Sequence, residues 1–201
     1  MSNKLRLREL AIEKKFNDTK NKLASMITND DFNTYFSDAP QKVLKYSELA
    51  DIKDINELLP NCPDYRIILT ESKRNEGHWC CIMRYINPIT KRETIEWFDS
   101  YSGRPDSELK FIPKFIRKQL GQDENHLSRI LKTVKPPLEI LYNATQYQTL
   151  HDGVNTCGRW CILRLIMFHI GYSLEEFKDF ITENSQLQGG KPFDIMVVEW
   201  V

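Results

Sequence analysis

The 201-residue sequence has little of what usually announces a protein's class. No apolar run approaches the roughly 18 residues of a membrane-crossing helix, so a membrane span is not expected. The opening residues, MSNKLRLRELAIEKK, are charged and lack the apolar centre of a secretory leader, so secretion is not expected either. Net charge is missing too: 28 basic residues balance 28 acidic ones, and nothing overall draws the chain to nucleic acid or an acidic partner. The cysteines are five, Cys62, Cys80, Cys81, Cys157 and Cys161, an odd and scattered set that argues against a disulfide framework. A reducing compartment is the expectation, with thiols that pack, react or bind. Internal repeats and low-complexity linkers are absent, and the length suits one domain with a substantial core.

What is present fits a folded globular chain, with 41% hydrophobic and 11% aromatic residues. Leu5, Ile12, Phe16, Leu23 and Ile27 recur at roughly helical spacing and predict an N-terminal helical arm within residues 1–30. Within residues 1–22, seven basic residues face three acidic ones. That excess reads first as a solvated helix face, and second as a basic contact arm. YRIILTES (65–72), HWCCIMRYI (78–86), RETIEWFD (92–99) and LEILYNA (138–144) read as strands. Residues 106–121 read as a short helical segment broken by Pro113 and closed by Gly121. Residues 157–171 form a mostly apolar helix ended by Gly171, and 173–184 a helix begun by Ser173 with acidic residues in its first turn. DIMVVEWV (194–201) reads as a terminal strand. Strands gather in the middle with helices before and after, an α+β layout with a central mixed or antiparallel sheet flanked by helices.

Pro88 cannot take positive φ, so a four-residue loop between the second and third strands fits better than a two-residue turn. Centred between Pro88 and Ile89, it pairs residues whose numbers add to 177, which sets His78 opposite Asp99. Cross-strand partners lie roughly 4.5–5.5 Å apart on one face. An imidazole held by a carboxylate is a base with its tautomer fixed. Cys157, at a helix start, is the natural thiol for it to activate, because the helix dipole and a nearby imidazolium both favour the thiolate. Gly158 lets another chain approach closely, and the free backbone N–H groups there can help hold an oxyanion.

The order GHW, WFDS, Q, CG resembles the cysteine protease clan of adenain and the SUMO-deconjugating proteases. YSELADIKDINELL, FDSYSGRPDSEL, YNATQYQ and TCGRWC are similar, more closely, to maturation proteases of virophages, polintons and related large DNA viruses. The likeness covers roughly residues 44–201. It implies an adenain-type, papain-like fold with the nucleophile at the N-terminus of a buried helix, and one cysteine protease domain over 1–201. It carries over His78 as base, Asp99 as its orienter, Cys157 as nucleophile and Gln148 as oxyanion donor. Clan members place that glutamine six or seven residues before the cysteine; Gln148 stands nine before Cys157, and Gln146 is the competitor. Trp79 would wall the substrate channel.

Three functions follow as expectations. The first is an endopeptidase that cleaves viral precursors, capsid components above all, after small residues such as glycine, in the virion or in the viral factory of the host cytoplasm. The second is a deconjugase of ubiquitin-like proteins with the same chemistry; the third is a silent binding module. No cofactor is implied, the chain is expected to be monomeric, and a DNA or peptide activator has a candidate seat on the basic arm. Zinc held by Cys161 with Cys80, Cys81 or His78 is not expected, since the spacing lacks the usual two ligand pairs. Trp97 and Trp160 are assigned to the core, and His126, His151 and His169 to surface or core, with His151 near enough in sequence to touch the site. QLQGGKP (186–192) reads as a flexible turn, with self-cleavage after Gly190 as the sharper alternative.

Overall fold

The computed structural model of the chain describes residues 3–201. Helix α1 (Asn3–Ala24) opens it, and short helices α2 (Asn29–Tyr35) and α3 (Ala39–Lys42) follow. Strand β1 (Val43–Lys45), a 3-10 turn at Tyr46–Ala50 and helix α4 (Ile55–Leu58) lead into the three strands read from the sequence. These are β2 (Asp64–Lys73), β3 (Glu76–Ile86) and β4 (Glu93–Phe98). Helices α5 (Lys114–Gln119) and α6 (His126–Leu131) precede β5 (Glu139–Tyr142), and three helices close the chain: α7 (Cys157–His169), α8 (Leu174–Leu187) and α9 (Phe193–Trp200). The strands make one sheet in chain order, β1 to β5. Its central pairs are antiparallel and its two edge pairs parallel, so the sheet is mixed.

The apolar run of β3 follows from its place at the centre, where both faces are covered. Trp79, Cys81 and Met83 join the core on the side of α7, while Cys80 and Ile82 join the core built with Leu127 and Ile130 of α6. The adjacent cysteines therefore point to opposite faces, as strand alternation requires.

Helix α7 is buried nearly all round, and it carries an arginine inside that apolar shell. Arg164 is met by Glu96 of β4 in a two-pronged pair, 2.7 Å from each carboxylate oxygen, with both side chains fully buried. The Tyr85 hydroxyl donates to the same carboxylate at 2.6 Å. A planar guanidinium suits this role because it matches both oxygens at once.

The start of α8 is the one read from the sequence. The Ser173 hydroxyl accepts from the Glu176 N–H, and the Glu176 carboxylate accepts from the Ser173 N–H at 2.8 Å. Ser173→Ala is expected to cost about 1 kcal/mol, read as a melting midpoint lower by about 3 °C; an unchanged midpoint would remove the cap from the stability account.

Residues 194–201 are not a strand. They form α9, begun by Pro192 just outside its first turn, with Asp194, Met196, Val197 and Val198 buried. A short β-branched apolar run reads the same for a buried strand and a buried helix, and Pro192 at a helix entrance was the signal that separates them.

The N-terminal arm is helical to Ala24, and Ile12 and Phe16, two of its apolar positions, are exposed. The side chain of Leu5, another of its apolar positions, lies outside the described residues. The far end of the arm is fastened down. Asn155 donates from its backbone to the Leu23 carbonyl at 2.7 Å and from its side chain to the Ala24 carbonyl at 2.8 Å. The Trp79 indole donates to the Ile27 carbonyl at 2.9 Å.

Candidate active site

The loop joining β3 and β4 is four residues, Pro88–Lys91, but it is centred one residue later than the sequence suggested. The Asn87 side chain accepts from the N–H groups of Ile89 and Thr90, and Lys91 takes φ of 59° to close the turn. Asn87 thus starts the loop through its own side chain. Paired residues add to 179, as in Cys81 with Phe98, and Asp99 is two short of the position opposite His78. Parity is unchanged, so both side chains keep the same face and meet diagonally, a reach that long side chains manage. His78 Nε2 lies 2.8 Å from Asp99 Oδ1.

Asp99 follows β4 and is held on several sides. Its Oδ1 also accepts from the Tyr101 N–H at 2.8 Å. Its backbone is clamped by Asn143 just past β5, which accepts from the Asp99 N–H at 2.8 Å and donates to its carbonyl at 2.7 Å. Its Oδ2 is buried without a hydrogen-bond partner. Gly103 makes room for that oxygen, since a Cβ there would stand 2.3 Å from it. The Tyr101 ring stacks on His78 with centroids 4.9 Å apart.

Burial works against a charged His78, yet its pKa is raised well above the ordinary value of 6.5. The neighbouring Cys80 could support the positive ring as a thiolate, but burial holds that thiol protonated far above its own ordinary range. The Asp99 carboxylate is what sustains the imidazolium, and the Cys157 and Cys80 sulfurs beside the ring add to it as acceptors. With Nε2 committed to Asp99, Nδ1 is the nitrogen left to face Cys157.

Cys157 is the first residue of α7 and half-buried. The preceding Thr156 does not cap the helix with its side chain, because its hydroxyl donates to Asp194. The first N–H groups of α7 are therefore not taken by that cap, and they point out of the positive end of the dipole beside the thiol.

Gln148 is buried and Gln146 exposed. The Gln148 Oε1 accepts from the Ser100 hydroxyl at 3.0 Å, and its Nε2 donates to the Val154 carbonyl at 2.8 Å. That fixes the amide in the loop before Cys157 and leaves Nε2 a second hydrogen. The long spacer between them is pinned at both ends by one carboxylate: Asp194 accepts from the Thr149 N–H at 2.8 Å and from the Thr156 hydroxyl.

Gly158 does not line the cleft through an open side. A Cβ there would sit 2.5 Å from the Cβ of Ile27, so its glycine is demanded by packing against the end of the arm. Trp79 does line it, though only 4% exposed. A cavity of about 240 Å³ runs between Cys157, Gly77, Trp79 and Met26, and shares Thr28, Asn75 and Trp79 with a further hollow of about 430 Å³. Gly77 is demanded by the pairing of β2 and β3, since a Cβ there would strike the Thr70 carbonyl at 2.0 Å.

Trp97 and Trp160 are core residues, 4% and 0% exposed. His126 is buried, His151 is exposed with its Nδ1 turned to the Asp152 carbonyl, and His169 stacks on Phe36. Cys161 lies with Cys81 on the α7 side of the sheet and Cys80 on the other, so the three do not converge. Gly189 and Gly190, with φ of 73° and 79°, shape the turn between α8 and α9.

Three contributors were missed in the sequence. Cys80 had a signal, being two residues from His78 on one strand and so on its face. Asn143 and Asp194 had none, because their roles depend on the parallel β4–β5 pair and on the docking of α9.

A protein of Sputnik virophage described as uncharacterized protein V9 is 40% identical to this chain over 119 residues, 58% of this chain and 62% of that protein. The chain thus spans less than two thirds of that relative, and the similarity is to a virophage protein. No protein family matches the chain, and no solved structure matches it either. Among the described residues no helix is long and apolar enough to cross a membrane.

Proposed function

We propose that the chain is a cysteine endopeptidase of the adenain type that cleaves viral precursor proteins during particle maturation. The observation that carries the reading is the buried His78–Asp99 pair with Cys157 beside the same ring at the start of α7. His78 takes the thiol proton, and the thiolate attacks the scissile carbonyl carbon. The oxyanion is held by the Gln148 amide and by N–H groups at the start of α7. Imidazolium then gives its proton to the leaving amine, and water, deprotonated by His78, releases the acyl group and restores the thiol. The cavity of about 240 Å³ beside Cys157 and Trp79 suits small residues next to the bond cut, glycine first among them. The virophage similarity supports a viral substrate, with capsid precursors as the first candidates and the virion or viral factory as the place of action.

A peptide library presented to wild type and to Cys157→Ala, with products identified by mass spectrometry, tests the reading; identical product sets from both proteins sink it. On a peptide so identified, Gln148→Ala is expected to lower kcat on the order of 10²–10³-fold. Gln146→Ala is expected to leave kcat within a few-fold, and the reverse ranking would move the oxyanion role to Gln146. Reaction with an electrophile-tagged ubiquitin-like protein in preference to any peptide would instead favour a deconjugase.

A further inference from the structure

Cys80 stands at this centre without a part in the cycle above. It lies two residues beyond His78 on β3 and is 1% exposed. A ring nitrogen of His78, the Cys80 sulfur and a carboxylate oxygen of Asp99 all lie within 4.8 Å of one another. Tetrahedral zinc, with bonds of about 2.0–2.3 Å, sets its donors about 3.6 Å apart. Closing the trio around such an ion asks only for shifts on the order of 1 Å. A second observation points the same way: Asp99 Oδ2 is buried with no hydrogen-bond partner, a lone-pair donor left unused. Zinc takes a water as its fourth ligand where the protein supplies three. Imidazole, thiolate and carboxylate together suit zinc and not the hard cations magnesium and calcium.

We propose that His78, Cys80 and Asp99 form a zinc site that silences the nucleophile by occupying its base. The Cys80 S–H bond gives way to an S–Zn bond with its proton released to solvent, and His78 ligates as the neutral imidazole, so it no longer takes the Cys157 proton. No oxidation is involved, and a chelator restores the free Cys80 thiol and the free base. The silencing rests on the reading of Cys157 as nucleophile; the metal site does not.

The test uses the full chain carrying Cys62→Ser, which removes the exposed thiol. Zinc ion is titrated against a chromophoric chelator, and iodoacetamide labelling of Cys157 is followed with and without zinc. One zinc per chain is expected, with labelling slowed at least tenfold and then restored by EDTA. Cys80→Ala is expected to weaken binding at least tenfold and to lose the protection. Cys81→Ala, on the opposite face, is expected to keep both and so controls for damage to the core. No zinc binding, or equal binding and protection with and without Cys80, overturns the proposal. Peptide cleavage without zinc binding would sink this inference alone, whereas zinc binding without cleavage would sink only the proteolytic reading.

Discussion

Cys157→Ala and His78→Gln are each expected to cut cleavage of an identified peptide on the order of 10⁶-fold, because residues that act as one unit lose nearly everything together. Asp99→Asn should be milder in rate, on the order of 10⁴-fold, and more telling in its pH dependence. His78 sits raised above its ordinary value mainly because the Asp99 carboxylate offsets the burial of its charge. A raised value keeps the imidazolium present to higher pH, so the alkaline limb of kcat/KM lies above the ordinary histidine range. Removing the carboxylate charge moves that limb to lower pH. The same sign governs stability: the pair's contribution is full below the unfolded value of about 6.5 and fades as pH rises through the folded one. Pre-steady-state cleavage and iodoacetamide kinetics across pH check this, and a limb that stays put in Asp99→Asn would detach Asp99 from the base.

The largest stability effect is expected away from the site. Arg164→Ala leaves Glu96 as an uncompensated buried charge, and Glu96→Ala does the same to Arg164. Either should cost about 3–5 kcal/mol, read as a melting midpoint lower by about 10 °C. The double variant Arg164→Met with Glu96→Leu is expected to recover most of it, less about 1 kcal/mol for the Tyr85 hydroxyl left without its acceptor. Thermal unfolding of the three variants decides this. A double variant no better than the singles would show that the pair stabilises the fold through more than mutual neutralisation.

Sequence reasoning went furthest where a short-range rule governs. The strands β2, β3 and β4 announced themselves by β-branched and aromatic runs, and α8 by the Ser173–Glu176 reciprocal cap. His78 and Asp99 were paired correctly through a register that was wrong by one residue in loop centre, because the shift preserved parity and hence the face. The rule that rescued them is alternation, and the same rule applied to residue 80 would have exposed the third member of the cluster. What sequence hid depends on long-range docking. β1 is only three residues, β5 pairs in parallel, and α9 reads equally well as a strand until its packing on α7 is known. Gly158 was assigned to substrate approach when its bareness answers to Ile27, more than a hundred residues away in the chain.

The Asp194 clamp changes how the nine residues from Gln148 to Cys157 should be counted. Thr149 and Thr156 are tied to one carboxylate, while Leu150 and Gly153 between them are exposed, Gly153 at φ of 84°. The tip of such a segment can gain or lose residues with little change at its anchored ends, since doubling a loop costs only about 0.6 kcal/mol. Gln148, Thr156 and Asp194 are therefore a firmer signature of this geometry than the number of residues between the first two.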